Sequence, residues 1–219
     1  MEGAKVDTTR LPERKGPALS TSLRPLSATG MDLLFRNART ASTFTNTKVT
    51  DAQIKQIYDL VRNGPTSFNG QHLRIVLVRT KEARERLVHH MIEPNQAKTS
   101  AAPLVAILAA DLKFTEHLAE LYPPFPMAGD LFFSEAPVRE EEAIFNASIQ
   151  IGYFILAVRA VGLAAGPMGG FDAEGLAKEF FGDGRFKPLL VCNIGKPGKD
   201  AWFPDRLPRL DYKHAVSTL

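Results

Sequence analysis

Hydrophobic residues recur at the spacing of a helix over long stretches of the chain. The stretches with the character of a strand are shorter. Residues 51–63 form the clearest amphipathic helix. Thr50, just before it, and Gln53, in its first turn, have capping-box spacing, and Gly64 with Pro65 supplies the stop signal. Its apolar face comprises Ile54, Ile57, Tyr58 and Val61.

The remaining pattern predicts several further elements. Helices are expected at 32–38, 81–92, 137–161 and 172–181, and strands at 74–80, 103–110 and 189–194. The second half of the 137–161 helix is apolar on nearly every face, which indicates a central buried helix or one that packs against a partner subunit. Helices outnumber strands, and no regular crossover helices separate the strands. The pattern therefore predicts an α+β fold and not a doubly wound sheet.

The chain divides into an arm, a domain and an insertion. Residues 1–30 lack a periodic apolar face and are expected to form an extended N-terminal arm. Residues 31–219 form the domain. Within it, residues 111–136 are rich in aromatic side chains and prolines and carry no regular pattern. Such a stretch is either a packed surface loop or a lid over a site.

Composition and charge exclude several classes of protein. Net charge is +3, from 27 basic and 24 acidic residues, which argues against partnership with nucleic acid or an anionic membrane surface. Cys192 is the only cysteine, so no intrachain disulfide forms, and a cytoplasmic location is the simplest expectation. The longest apolar run, 151–161, contains Arg159 and is shorter than a bilayer span. No secretory leader pattern follows Met1.

Several catalytic sites are excluded by missing motifs. The sequence has no GxSxG elbow, P-loop, HExxH motif or cysteine pair, and its five histidines lack metal-ligand spacing, so no metal site is predicted. GPMGG at 166–170 is interpreted as following a helix directly, without the strand-turn-helix context of a Rossmann dinucleotide site.

Four polar or glycine-rich clusters remain, each near a predicted buried element. They are ARTAS (38–42), PTSFNGQHLR (65–74), GLAAGPMGGFD (162–172) and RLPR (206–209). Turn chemistry alone explains any one of them. Together they supply hydroxyl, amide and guanidinium donors beside a glycine-lined backbone, which suits a phosphorylated cofactor that carries a ring.

These clusters, in this order, resemble the nitroreductase family of FMN-dependent oxidoreductases over roughly Leu33 to Leu219. ARTASTF resembles the opening basic-Ser phosphate motif, PTSFNGQHLRIVLV the PSSxNxQPWxFxVV stretch, and GPMGGFD the glycine-rich segment before a short helix. GPTS, FNASIQIGYFILAVRAVGL, GPMGGFD and RLPRL resemble most the branch of malonic semialdehyde reductases (3-hydroxypropionate dehydrogenases) in pyrimidine breakdown.

The resemblance implies a three-layer fold with a mostly antiparallel central sheet flanked by helices. It implies a homodimer with the long helix at the interface and the flavin between subunits. It also implies hydride transfer from NADH or NADPH through flavin N5 to a small carbonyl or nitro substrate. A broad nitroaromatic or quinone reductase is the alternative within the family, and a non-catalytic flavin-binding protein is the alternative outside it.

The resemblance also assigns residues to FMN. The phosphate end would be held by Arg39, Thr40, Arg209 and Arg206, the flavin and ribityl region by Ser67 and Asn69, and the ring by Pro167 and Met168. Gly169 and Gly170 would direct N–H groups towards N5. Ser42 and Ala38 stand where many relatives carry basic residues, and His72–Leu73 replaces Pro–Trp. No side chain is identified as catalytic.

Overall fold

The computed structural model describes residues 22–219, and their framework is a four-stranded antiparallel sheet. The strands are β1 (Leu73–Val78), β2 (Leu104–Asp111), β3 (Ala164–Met168) and β4 (Phe186–Gly195). Their order in the sheet is β1-β2-β4-β3, so β1 and β3 form the two edges.

The helices surround this sheet and include short turns. They are α1 (Ala28–Met31), α2 (Asp51–Val61), α3 (Lys81–His89), α4 (Glu93–Ala101), α5 (Leu118–Leu121), α6 (Ala128–Phe132), α7 (Ala136–Ala160), α8 (Ala173–Phe180) and α9 (Tyr212–Ala215). A π-helical turn, Asp32–Arg36, continues α1, and 3-10 turns lie at Ser67–Asn69 and Phe114–His117.

Alternation along the buried strand β2 separates two apolar cores. Leu104 and Leu108 face a core shared with α2 and α7, whereas Val105 and Ile107 face a core shared with α3 and α8. Successive strand side chains point to opposite faces of a sheet, so one strand serves both cores. The predicted α+β, three-layer arrangement is confirmed.

Helix α7 packs along the sheet. It contacts α2 and strands β1, β2 and β3 through a buried face that includes Ala143, Ala147 and Phe154. By length and hydropathy it could cross a membrane, but its buried face makes it a central helix of the fold. Its opposite face leaves Val138 and Phe145 exposed.

The structure contains a helix that the sequence pattern did not predict. In α4 the core-facing positions are Asn95 and Thr99, which are buried polar residues. A helix whose buried face is polar lacks the hydrophobic periodicity on which the prediction depends. Pro94 lies in its first turn, where proline is tolerated.

Strand β3 was also missed, because Gly166 and Pro167 disfavour strand interiors. Proline is accepted here because β3 is an edge strand. The interpretation of GPMGG as directly following a helix was therefore wrong, since Gly166, Pro167 and Met168 form the end of β3 and only Gly169 and Gly170 lie between that strand and the approach to α8. The antiparallel sheet still lacks the parallel order of a Rossmann fold.

Two other expectations need correction. The insertion, residues 111–136, is not irregular throughout, because it contains the 3-10 turn and helices α5 and α6. Of the predicted extended arm, residues 1–21 lie outside the described residues. Residues 28–31 form α1, capped by the Ser27 hydroxyl.

Candidate functional site

The segment that contains ARTAS runs along the outer edge of β3. The Ala41 N–H donates to the Ala165 carbonyl at 3.0 Å, and the Ser42 N–H donates to the Ala201 carbonyl at 2.9 Å. A side chain on Gly166 would place its Cβ 2.6 Å from the Ala41 carbonyl oxygen. Glycine at this position therefore permits the two segments to meet.

Arg39, Thr40, Arg206 and Arg209, all predicted to hold the phosphate, line one cavity of about 170 Å³. The remaining lining residues are Ala38, Phe203, Asp205 and Leu207. Arg206 and Arg209 are far from Arg39 in sequence. The path of the C-terminal segment in the fold brings both of them beside Arg39.

Backbone carbonyls orient the three guanidinium groups. Arg39 donates to the Phe203 carbonyl at 2.6 Å, Arg206 to the Ala38 carbonyl at 3.1 Å, and Arg209 to the Leu207 carbonyl at 2.8 Å. Within residues 22–219 none of the three forms an ion pair. Three arginines without carboxylate partners, beside the Thr40 hydroxyl, suit a phosphate group.

Ser42 lies in the same segment but donates its hydroxyl to the Ala201 carbonyl at 3.1 Å. Its side chain thus ties the segment to the C-terminal region.

The side chains of the glycine-rich segment, residues 162–172, lie in different environments. Pro167 and Met168 lie in β3, and strand alternation sends their side chains to opposite faces. Met168 is buried, with its sulfur 3.8 Å from the Thr99 hydroxyl. The Met168 side chain therefore belongs to the core, and its packing on a flavin ring stays a prediction.

Gly169 and Gly170 differ sharply in the space around them. No atom of the described part of the chain lies within 4 Å of a Cβ built on Gly169, which is exposed. A Cβ on Gly170 would collide with Ile92, and the Gly170 carbonyl accepts the Asn95 side-chain amide at 2.9 Å. Gly169 faces open space, whereas Gly170 fixes the segment to α4.

Ser67 and Asn69 lie in a second cluster, in the turn that precedes β1. The Ser67 N–H donates to Asn146 Oδ1 at 2.8 Å, and the Asn69 amide donates to the Leu121 carbonyl at 2.9 Å. Phe68, Asn69 and Gln71 all adopt positive φ, at 49°, 53° and 48°. Left-handed backbone costs a non-glycine residue roughly 1–2 kcal/mol, so the surrounding contacts must hold this turn.

Two amide side chains of α7 help to stabilise this turn, and the sequence analysis did not identify them. Asn146 accepts from Ser67, and Gln150 Oε1 accepts the Leu73 N–H at 2.9 Å. Gln150 also donates to the Gln71 side chain at 3.1 Å. Both α7 residues are 2% exposed. The available signal was a pair of amide residues one helical turn apart on the buried face of α7, whose other buried residues are apolar.

A charged cluster lies beneath this turn. Asp111 is buried, and its carboxylate contacts Arg74 at 2.6 Å and Arg185 at 3.0 Å. Burial alone would raise the pKa of Asp111. The hydrogen bond from Arg185, that from the Lys113 N–H, and the charges of Arg74 and Arg185 outweigh burial and lower it.

His72 is buried beside that cluster, and neither of its ring nitrogens has a hydrogen-bond partner among residues 22–219. Its ring lies 4.0 Å from the Phe114 ring, centroid to centroid. Burial, the largest cause, and the charge of Arg74 together lower the pKa of His72 to about 4, against the opposing charge of Asp111. At neutral pH this histidine is uncharged.

The two clusters lie at opposite edges of the sheet. Ser67 and Asn69 precede β1, whereas Arg39, Arg209 and Gly169 lie beside β3. Three strand spacings separate the edges by about 14 Å. One chain therefore does not bring all the predicted residues together.

Residues 22–219 contain no group of three or more His, Cys, Asp or Glu side chains that could hold a metal ion. Burial raises the pKa of the Cys192 thiol to about 12, so this cysteine stays protonated.

Comparison with known proteins identifies a family and similar proteins for this chain. Residues 35–196 match the model of the nitroreductase family. A Streptomyces coelicolor protein is 61% identical over 194 residues, which cover 89% of this chain and 98% of that protein. A Streptomyces griseus protein is 60% identical with the same coverage. Both carry the provisional name NADH dehydrogenase/NAD(P)H nitroreductase.

Solved structures share the fold. A Bacillus subtilis protein described as a nitroreductase superposes with a TM-score of 0.75 at 25% identity, covering 87% of this chain and 99% of that one. An Exiguobacterium sibiricum protein, solved in complex with FMN, gives a TM-score of 0.71 at 19% identity, covering 89% and 99%.

Proposed function

The chain belongs to the nitroreductase family, an oxidoreductase family, and on that premise we propose that it is an FMN-dependent enzyme. It takes hydride from NADH or NADPH and delivers it to a small carbonyl substrate. The proposal is carried by two features beside the same edge strand: the open space around Gly169, just past the end of β3, and a cavity lined by three arginines that form no ion pair within residues 22–219.

The residues beside β3 fit FMN chemically. Arg39, Arg206 and Arg209 supply guanidinium donors for a phosphate, and Thr40 adds a hydroxyl. Gly169 lets a planar ring approach the backbone, because no side chain or neighbouring atom fills that space. Pro167 lies on the strand just before it and offers an apolar surface to the ring. Bound here, FMN would accept and release hydride at N5.

The protein contributes orientation and exclusion of water. The arginine cluster would hold the phosphate end, and the Gly169–Gly170 backbone would fix the ring at its reacting edge. Gly170 is held by Asn95, so this backbone is rigid where hydride would pass. The proton that completes reduction of a carbonyl is assigned to solvent, since no side chain at Gly169 is placed to donate it.

The division of the residues between two sheet edges supports a homodimer with FMN at the interface. Ser67 and Asn69 of one subunit would face the arginine cluster of the other. Exposed apolar side chains favour association: Phe145 on α7 is 64% exposed, and Leu207, Leu210 and Tyr212 are exposed in the C-terminal segment. β1 is an open edge beside which a C-terminal segment reaching across from a partner could lie.

For the acceptor, we propose malonic semialdehyde, reduced to 3-hydroxypropionate in the cytoplasm. The resemblance of GPTS, GPMGGFD and RLPRL to that branch supports this choice. The second candidate is a broad nitroaromatic or quinone reductase, which the names of the curated relatives favour. The third candidate is a flavin-binding protein without turnover.

One experiment separates the three candidates. The purified protein is loaded with FMN and mixed anaerobically with NADH or NADPH, and oxidation is then followed with malonic semialdehyde, a nitrofuran and a quinone. We expect about one FMN per chain, bleaching by the donor, and the highest kcat/KM for malonic semialdehyde. A colourless protein that takes up no FMN contradicts the proposal, and a flavin that stays yellow identifies a binding protein.

A further inference from the structure

Phe68 lies at the centre of the strained turn, and its ring is enclosed by the insertion. The Phe132 ring stacks on it with centroids 5.5 Å apart and planes 22° apart. Tyr122 meets it edge-on at 5.5 Å, and Phe133 meets it edge-on at 5.9 Å. All three partner rings belong to residues 111–136. The insertion thus encloses the central side chain of the turn.

The insertion also holds the neighbouring residue of the turn. The Asn69 side-chain amide donates to the Leu121 carbonyl, at the C-terminal end of α5. On the opposite side, Asn146 of α7 accepts the Ser67 N–H. The turn is therefore clamped between the insertion and α7. A backbone with three left-handed non-glycine residues persists only while such contacts are intact.

The three rings around Phe68 differ in burial. Phe133 is 6% exposed and belongs to the core, where it also meets Phe114. Phe132 is 52% exposed, so it covers Phe68 from outside. Truncation of Phe132 would remove the stack without opening a cavity in the core. Leu131 is similarly exposed, at 57%, but has no ring to stack on Phe68.

We propose that Phe132 is a positioning residue for the flavin. By stacking on Phe68 it keeps the left-handed turn in the geometry that presents Ser67 and Asn69, so the insertion sets flavin affinity through this turn. This inference rests on the proposed function for the identity of the ligand. It gives the insertion, interpreted from the sequence as a packed loop or a lid, a role in flavin binding, and it explains why the exposed Phe132 ring stacks on Phe68.

The test compares Phe132→Ala with Leu131→Ala and Phe132→Tyr. Hydrogen exchange of residues 67–71 and the melting temperature are measured on the FMN-free protein. FMN affinity is measured separately, by quenching of flavin fluorescence. In Phe132→Ala we expect the hydrogen-exchange rate of the turn and the Kd for FMN each to rise about three- to tenfold, because the loss of one aromatic pair has an effect of this size. Phe132→Tyr should restore both values, and the melting temperatures of the two alanine variants should agree.

Unchanged exchange in Phe132→Ala, or an equal change in Leu131→Ala, would overturn the coupling. Faster exchange with an unchanged Kd for FMN would overturn the claim that the insertion sets flavin affinity. If the wild-type protein takes up no FMN, the proposed function fails, and the exchange measurement alone still decides whether Phe132 holds the turn.

Discussion

The Ser67 N–H donates a 2.8 Å hydrogen bond to Oδ1 of Asn146, across 79 residues of sequence. Asn146 is 2% exposed in α7, and its amide donates to the Glu142 carbonyl at 3.0 Å. The side chain is therefore fixed before it receives the Ser67 N–H. Through this bond the central helix sets the position of the turn assigned to the flavin.

Asn146→Ala should lower both stability and flavin affinity. Removal of the acceptor leaves the Ser67 N–H without a partner, which typically costs about 1–3 kcal/mol. Urea unfolding and an FMN titration measure the two effects. Ser148→Ala is the control, since Ser148 lies on the same helix, is exposed and bonds only to the Ile144 carbonyl. Equal effects of the two changes would contradict a specific role for Asn146.

Stability should fall as the pH drops from about 6.5 to about 4 because of His72. The pKa of His72 is lowered to about 4 in the folded chain, so the unfolded chain binds more protons throughout this interval. The loss reaches at most about 3 kcal/mol for a shift of this size. His72→Gln should flatten the pH profile of the unfolding free energy, whereas His89→Gln, at an exposed position, should not.

Asp111 acts in a lower pH range. Its pKa is held below 3.8 in the folded chain, so its contribution is present above that value and lost below it. The difference between the wild-type and His72→Gln profiles from pH 4 to 7 therefore reports on His72, and two identical profiles would refute the assignment.

Arg209→Ala should weaken FMN binding about ten- to hundredfold, the usual effect of losing a charged hydrogen bond. Arg209 bonds only to the nearby Leu207 and Pro208 carbonyls, so the fold should be little affected. Arg206 bonds to the carbonyls of Arg36 and Ala38, so Arg206→Ala should lower the melting temperature more and FMN affinity less. Negligible effects of both changes on FMN binding would place the phosphate elsewhere.

Gly169→Val should fold but lose hydride transfer. The space around Gly169 accommodates a side chain, which would occupy the face where the nicotinamide must stack. Rapid-mixing reduction of the FMN-loaded variant by NAD(P)H measures the loss. Gly170→Val is the contrasting variant, because its Cβ would collide with Ile92 and should lower stability instead. An unchanged reduction rate in Gly169→Val would place this residue away from N5.

Phe145→Asp should dissociate the proposed homodimer and weaken FMN binding, because the site would then lose the residues of one subunit. Phe145 is 64% exposed on the outer face of α7. Sedimentation velocity and FMN titration measure the two effects. Arg86→Asp, a charge change on α3 in the opposite helical layer, should leave both unchanged. A variant that remains dimeric would move the interface away from this face of α7.

Local signals predicted the parts of this protein whose structure depends on near neighbours in sequence. The capping box of Thr50 and Gln53 at the start of α2 is confirmed, and so is the helix predicted at 172–181, which is α8 with Asp172 as its N-cap. The extent of α7 and the buried strand β2 are confirmed within one or two residues. Caps and hydrophobic periods act within a few residues, so the sequence alone reveals them.

Other features depend on contacts that no local pattern records. β3 is a strand because β4 and the Ala41 segment provide partners for AAGPM, and α4 is a helix although its buried face is polar. The order of the motifs identified the family, but only the strand order placed Asn69 and Gly169 at opposite edges of the sheet. Edge positions are set by long-range pairing, and local propensity carries no information about which strands become neighbours.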